Sequence, residues 1–86
     1  MHRMKLVYEN RAAAALLRMP LNEAKALRDK LELFAADPTA RYPWAKAFGA
    51  GTGRIRQGDW RALYRIDGQS VTVFVVKIGN RRDVYR

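Results

Sequence analysis

The hydrophobic pattern changes period near the middle of the chain. In the first half, Leu21, Ala24, Leu27, Leu31, Phe34 and Ala35 recur at helical spacing, with Glu23, Lys25, Arg28, Asp29, Lys30 and Glu32 falling mostly elsewhere. That spacing predicts an amphipathic helix over residues 21–36. Asp37-Pro38 closes it, because a proline pushes the residue before it out of the helical region. Residues 11–19 carry alanine from Ala12 to Ala15, then Leu16 and Leu17, which predicts a shorter helix with Asn10 as its N-cap. Pro20 separates the two, suited to a first turn but not to a helix interior. Helices this close in sequence predict a hairpin. Upstream, residues 5–8 read as a short strand with Leu6 and Tyr8 on one face.

In the second half the period is two. Residues 53–57 put Arg54 and Arg56 on one face of a strand and Ile55 on the other. Gly58-Asp59 is a tight turn. Residues 60–66 then set Trp60, Ala62, Tyr64 and Ile66 against Arg61, Leu63 and Arg65. Asp67-Gly68 signals a hairpin. Residues 71–78 are β-branched or aromatic at nearly every position, which predicts a central strand covered on both faces. Gly79-Asn80 is expected to turn the chain. Residues 37–52 mix Pro and Gly with other types and read as a surface loop, with Trp44 and Phe48 anchored between helix and sheet. A base-stacking Trp44 is the functional alternative. The expected fold is α+β: an N-terminal strand, a helical hairpin, then a twisted, mainly antiparallel sheet, in a single compact domain over residues 1–86.

Charge adds a direction to this outline. The 86 residues carry a formal net charge of +9. Residues 1–40 hold seven Lys/Arg against five Asp/Glu, and residues 41–86 hold ten against three. The excess therefore belongs to the expected sheet. A strand pair that buries aromatics on one face and presents arginines on the other is a platform for a polyanion, and RNA is the reading adopted. The chain has no cysteine, hence no disulfide, thiolate metal site or cysteine nucleophile. No apolar run approaches a membrane span, and the first ten residues lack a secretory pattern. A cytoplasmic protein without membrane association is expected.

Familiar enzymatic motifs are missing: no phosphate-binding loop, dinucleotide fingerprint or metal-ligand cluster is present. The lone His2 is expected to be inert in a loose leader. Asp59 and Asp67 sit where turns favour Asp for backbone reasons. Arginine and tyrosine remain. Arg54 and Arg56 point one way, Arg61 and Arg65 share a face of the next strand, and Arg81, Arg82, Tyr85 and Arg86 follow the last one. RNA is cleavable without a metal when its ribose 2′-hydroxyl attacks the adjacent phosphate. Arginine suits the charge that develops there but is a poor acid or base. Tyr85 is open between a base, a stacking partner and a core plug. Arg56, Arg65, Arg82 and Arg86 are assigned to RNA binding by charge.

A family becomes recognisable at this point. Arg-x-Gly-Asp-aromatic-Arg-x-x-Tyr-x-Ile, here Arg56 to Ile66, precedes a β-branched strand and Gly-x-Arg-Arg-x-Val-Tyr, here Gly79 to Tyr85. The pair resembles the C-terminal half of RelE/ParE-superfamily toxins, specifically the RelE branch, and the likeness covers nearly the whole chain. The resemblance implies a RelE-like fold and the toxin of a type II toxin-antitoxin system. The implied activity is a ribosome-dependent mRNA endonuclease using no metal or other cofactor. It implies a cognate antitoxin, the ribosome and mRNA as partners, and a higher-order toxin-antitoxin assembly. By position, Arg61 and Arg81 match phosphate-stabilising arginines, Tyr85 the C-terminal tyrosine, Arg54 a catalytic basic residue that is commonly lysine, and Arg56 a basic position on the same strand. Thr52 and Gly53 stand where some members have a second lysine, and Asn80 where many have histidine. A ParE-like gyrase inhibitor and a catalytically degenerate member are the alternatives.

Overall fold

The helix expected over residues 21–36 has those bounds in the computed structural model, which describes residues 3–84. Strand β1 (Lys5–Tyr8) leads into helices α1 (Asn10–Arg18) and α2 (Leu21–Ala36), followed by β2 (Ala45–Gly49), β3 (Thr52–Gln57), β4 (Trp60–Asp67) and β5 (Thr72–Asn80). The strands form one sheet in the order β1-β5-β4-β3-β2. β1 runs parallel to β5, and every other pairing is antiparallel. This is the expected α+β architecture.

Ala24, Leu27, Leu31, Phe34 and Ala35 of α2 are buried against one sheet face, where they meet Ile55, Ala62, Tyr64, Val73, Val75 and Ile78. Ala12 of α1 joins the same core. Leu21, expected on the buried stripe, is 88% exposed instead. It opens the first turn, where the helix has not yet reached the sheet. Asn10 is likewise not the cap of α1 but its first residue; Glu9 precedes it, without a side-chain capping bond. The Pro20 carbonyl accepts the first bond of α2, from the Ala24 N–H at 2.9 Å.

The segment read as a loop contains an edge strand. Its first part is pinned by aromatics: Phe34 packs on Tyr64 (centroids 4.7 Å apart), and Tyr42 stacks on Trp44 at 4.4 Å. The Tyr42 hydroxyl donates to the Asp37 carbonyl at 2.9 Å. Thus held, residues 45–49 pair with β3 as β2. Trp44 is an anchor, as expected, but Phe48 is 51% exposed and anchors nothing. The turn after β4 is longer than Asp67-Gly68 implied. Asp67 pairs with Thr72, and Val71 takes a positive φ of 52° in the turn rather than opening the strand. Gly79 and Asn80 belong to β5, and the turn follows at residues 81–84. β5 is central, as expected, but helices cover only one of its faces.

Candidate nucleic-acid interface

Strand register decides which arginines meet. Arg56 stands opposite Arg61, and Arg61 opposite Gly79. Arg54 stands opposite Leu63, and Thr52 opposite Arg65. All lie on the sheet face turned away from the helices, since the alternate residues Ile55, Ala62 and Tyr64 fill the core. Residue alternation alone thus separates a buried apolar face from a basic open one.

The β3–β4 turn gathers two of the three predicted catalytic arginines, Arg61 and Arg81, while Arg54 stands farther along β3, opposite Leu63. Arg61 Nη1 donates to the carbonyls of Gly58 (2.8 Å) and Trp60 (3.0 Å). A guanidinium carries five N–H donors, so these two bonds orient the group and leave donors for a phosphate. Arg81 reaches the same turn from the end of β5. Its backbone N–H donates to the Asp59 carbonyl at 2.7 Å, and its Nε lies 3.9 Å from Asp59 Oδ1. That ion pair is exposed and adds little stability, but it fixes the side of the turn on which Arg81 stands. The chain then folds back: the N–H groups of Asp83 and Val84 both bond the Asn80 carbonyl at 2.9 Å. Val84, buried yet outside the main core, packs over Gly79 on the open face. Arg82 is exposed in this turn, its N–H bonded to Asn80 Oδ1 at 3.3 Å. Tyr85, Arg86 and His2 lie outside the described residues.

Arg65 stands apart from this cluster, farther along β4. Its guanidinium lies over the Phe74 ring, 4.4 Å from the centroid, with Nη2 3.5 Å from Glu9 Oε2. Lys46 of β2 stands opposite Arg54 on the same face, and Lys77 opposite Leu63. Lys46 is not legible from the sequence because residues 37–52 carry the Pro and Gly chemistry of a loop. Its signal was the alternation in Ala45-Lys46-Ala47-Phe48, cut short by Gly49 and Gly51.

Gly53 and Thr52 differ in a way that sequence position does not reveal. A Cβ at Gly53 would collide with the Tyr64 hydroxyl and the Lys46 carbonyl on the core side. A lysine is therefore excluded at 53, whereas a side chain at 52 stands on the basic face. Trp44, the alternative stacking candidate, is engaged by Tyr42 and has Lys30 Nζ 5.7 Å above its ring. Lys30 also donates to the Arg56 carbonyl at 3.0 Å. Burial and then the charge of Arg56 lower its pKa from 10.5, but α2 places it on the helix side. Among the described residues no group of three or more His, Cys, Asp or Glu is placed to hold a metal ion.

Residues 6–85 match the family described as the ParE toxin of type II toxin-antitoxin system, parDE. The chain belongs to that family. Toxin RelG of Mycobacterium tuberculosis is 46% identical over 37 residues, 43% of this chain. That stretch spans 42% of the length of RelG, less than half of the curated relative it matches. Solved structures extend the likeness in fold. The RelBE2 toxin-antitoxin complex of M. tuberculosis superposes with a TM-score of 0.75 at 24% identity, covering 93% of this chain and 100% of the matched one. A mutant of E. coli toxin RelE in the free state gives 0.77 at 22% identity, covering 92% of this chain and 84% of that one. The intact E. coli RelBE complex gives 0.76 at 22% identity, over 90% and 95%. The chain thus belongs to the ParE toxin family and shares its fold with the RelE structures, the superfamily to which its C-terminal motifs pointed.

Proposed function

We propose that this toxin cuts mRNA on the ribosome through the basic face of its sheet. The observation that carries the reading is the convergence of Arg61 and Arg81 on the turn at residues 58–60, with Arg56 directly across from Arg61. In the proposed reaction the ribose 2′-oxygen bonds to the adjacent phosphorus and the P–O5′ bond breaks, leaving a 2′,3′-cyclic phosphate and a 5′-hydroxyl. Arg61 and Arg81 hold the non-bridging oxygens and neutralise the charge that grows on the phosphorane. Arg54 flanks them, and Arg56, Arg65, Arg82 and Arg86 bind neighbouring phosphates and bases. Tyr85 takes the 2′-proton, or stacks on a base while water takes it, and the departing O5′ takes up a proton from water. The ribosome aligns the 2′-oxygen, phosphorus and O5′, a contribution that orientation alone can make large. No step needs a metal. The same face, with its excess of arginine, suits an acidic antitoxin segment that folds on binding, and assemblies of toxin and antitoxin in the cytoplasm.

The test is cleavage of an mRNA on programmed ribosomes, mapped by primer extension, with free mRNA and a chelator as controls. Wild type should give chelator-resistant, ribosome-dependent cuts, and Arg61→Ala and Arg81→Ala should each lower the rate by about 10²-fold. Folded wild type that gives no cuts overturns the reading. The family match, to ParE toxins, supports a second reading as a gyrase inhibitor, and inhibition of gyrase supercoiling by the purified chain would then be the positive result.

A further inference from the structure

The pair Arg65–Phe74 lies on the basic face but away from the arginine cluster, and its construction differs. Phe74 pairs with Arg65 across β4 and β5, and with Val7 of β1 on its other side. The Arg65 guanidinium lies over that ring, 4.4 Å from its centroid, with Nη2 3.5 Å from Glu9 Oε2, while its side chain keeps 47% of its surface exposed. A group that serves only to attract RNA gains nothing from an adjacent carboxylate, which offsets its charge. What Glu9 and Phe74 together supply is position: the guanidinium is held beside the ring and the carboxylate while its side chain stays half exposed. Val7, 41% exposed, adds apolar surface beside it. A fixed cationic plane with an apolar border is what a nucleobase stacks on.

We propose that Arg65, held between Phe74 and Glu9, is a nucleobase platform that stacks one base of the bound RNA at a distance from the scissile phosphate. Arg61 and Arg65 lie four positions apart on β4, about 13 Å at the usual strand rise. The phosphate held at the β3–β4 turn and the base held at Arg65 therefore belong to different nucleotides of one strand. The platform grips every base through its π-face, and purines more firmly than pyrimidines because they offer more overlap. This inference rests on the RNA-cutting reading above.

The experiment uses the ribosome cleavage assay with a series of mRNAs carrying a single abasic nucleotide at successive positions either side of the cut. For wild type, one abasic position should raise KM about tenfold, and a purine there should be preferred. Arg65→Lys keeps the charge but loses the plane. It should raise KM about tenfold, flatten the purine preference, and make the abasic substitution at that position cost nothing further. Phe74→Leu, which keeps apolar cover, should act in the same direction, with circular dichroism checking that it folds. If Arg65→Lys cuts with wild-type KM and the abasic penalty persists, the platform is overturned while the nuclease reading stands. If wild type does not cut at all, both fall, and the two failures are distinguished by the wild-type lane.

Discussion

Tyr8 buries a hydroxyl that has no hydrogen-bond partner among the described residues. Burial, and then the charge of Glu32, push its pKa up from 10.0 to about 12, with Arg28 pulling the other way. Replacing the residue by phenylalanine removes an unsatisfied polar atom while keeping the ring against the core. Tyr8→Phe should therefore leave stability at pH 7 unchanged or raise it by about 1 kcal/mol. The pH dependence follows from the direction of the shift. Below pH 10 the hydroxyl is protonated in both states and its contribution is constant. Between about 10 and about 12 the unfolded chain releases the proton and the folded one holds it, so folding stability falls as pH rises. Tyr64, also raised by burial, adds to the same loss in both proteins. Urea unfolding at pH 7, 9, 10 and 11 should show the wild type losing more stability above pH 10 than Tyr8→Phe, and parallel curves would refute the assignment to Tyr8. At this scale the arginines of the site were readable from sequence, because strand alternation fixes which side chains share a face. Tyr8 was placed on the correct face with Leu6, but its missing partner depends on what α2 brings alongside, which no local pattern encodes.

The elements were legible where one signal dominated, and illegible where two competed. α2 has a full apolar stripe and a Pro at each end. β3 and β4 alternate cleanly around Gly58. β2 was missed because its five residues lie between Pro43 and a run of turn glycines; its strand state comes from pairing with β3, which only tertiary structure supplies. The end of β5 was misread because Gly79-Asn80 carries turn chemistry but is held in the sheet by Arg61 and Trp60 opposite. A second irregularity in β5 is functional for the packing. The register slips between Leu63 and Tyr64, where Leu63 faces Lys77 and Tyr64 faces Val75. Val76 is thereby extra, a bulge whose carbonyl accepts a bond from Arg11 Nε of α1 at 3.0 Å. Arg11 thus docks α1 onto β5 through a carbonyl at the bulge. Arg11→Ala should cost about 1 kcal/mol, read as a fall in Tm of about 4–8 °C. Arg18→Ala, on the same helix and equally exposed but without a bond to the sheet among the described residues, should cost less than half of that; equal losses would mean that removal of a cation from α1 rather than docking is being measured.

For the whole molecule, the decisive asymmetry is that the sheet has one face for folding and the other for charge. The core face takes both helices, while Lys46, Arg54, Arg56, Arg61 and Arg65 stand together on the other. Cations gathered on one face together displace the counterions condensed on a polyanion that docks there, so affinity falls with salt in proportion to the phosphates neutralised, by about 0.7 in the log–log slope for each phosphate on a single strand. The face, rather than the net charge of +9, sets that slope. Arg54→Ala and Arg56→Ala should each reduce its magnitude by about 0.7 when binding of a short single-stranded RNA is titrated at several KCl concentrations. Lys25→Ala removes an equal charge from α2, where Lys25 is paired to Asp29 at 2.9 Å in solvent. It should leave the slope where it was. The same three variants change net charge identically, so any mechanism that depends on overall basicity predicts three equal slopes. Unequal slopes, lower for the two sheet arginines alone, would locate the RNA on the face that the strand register built.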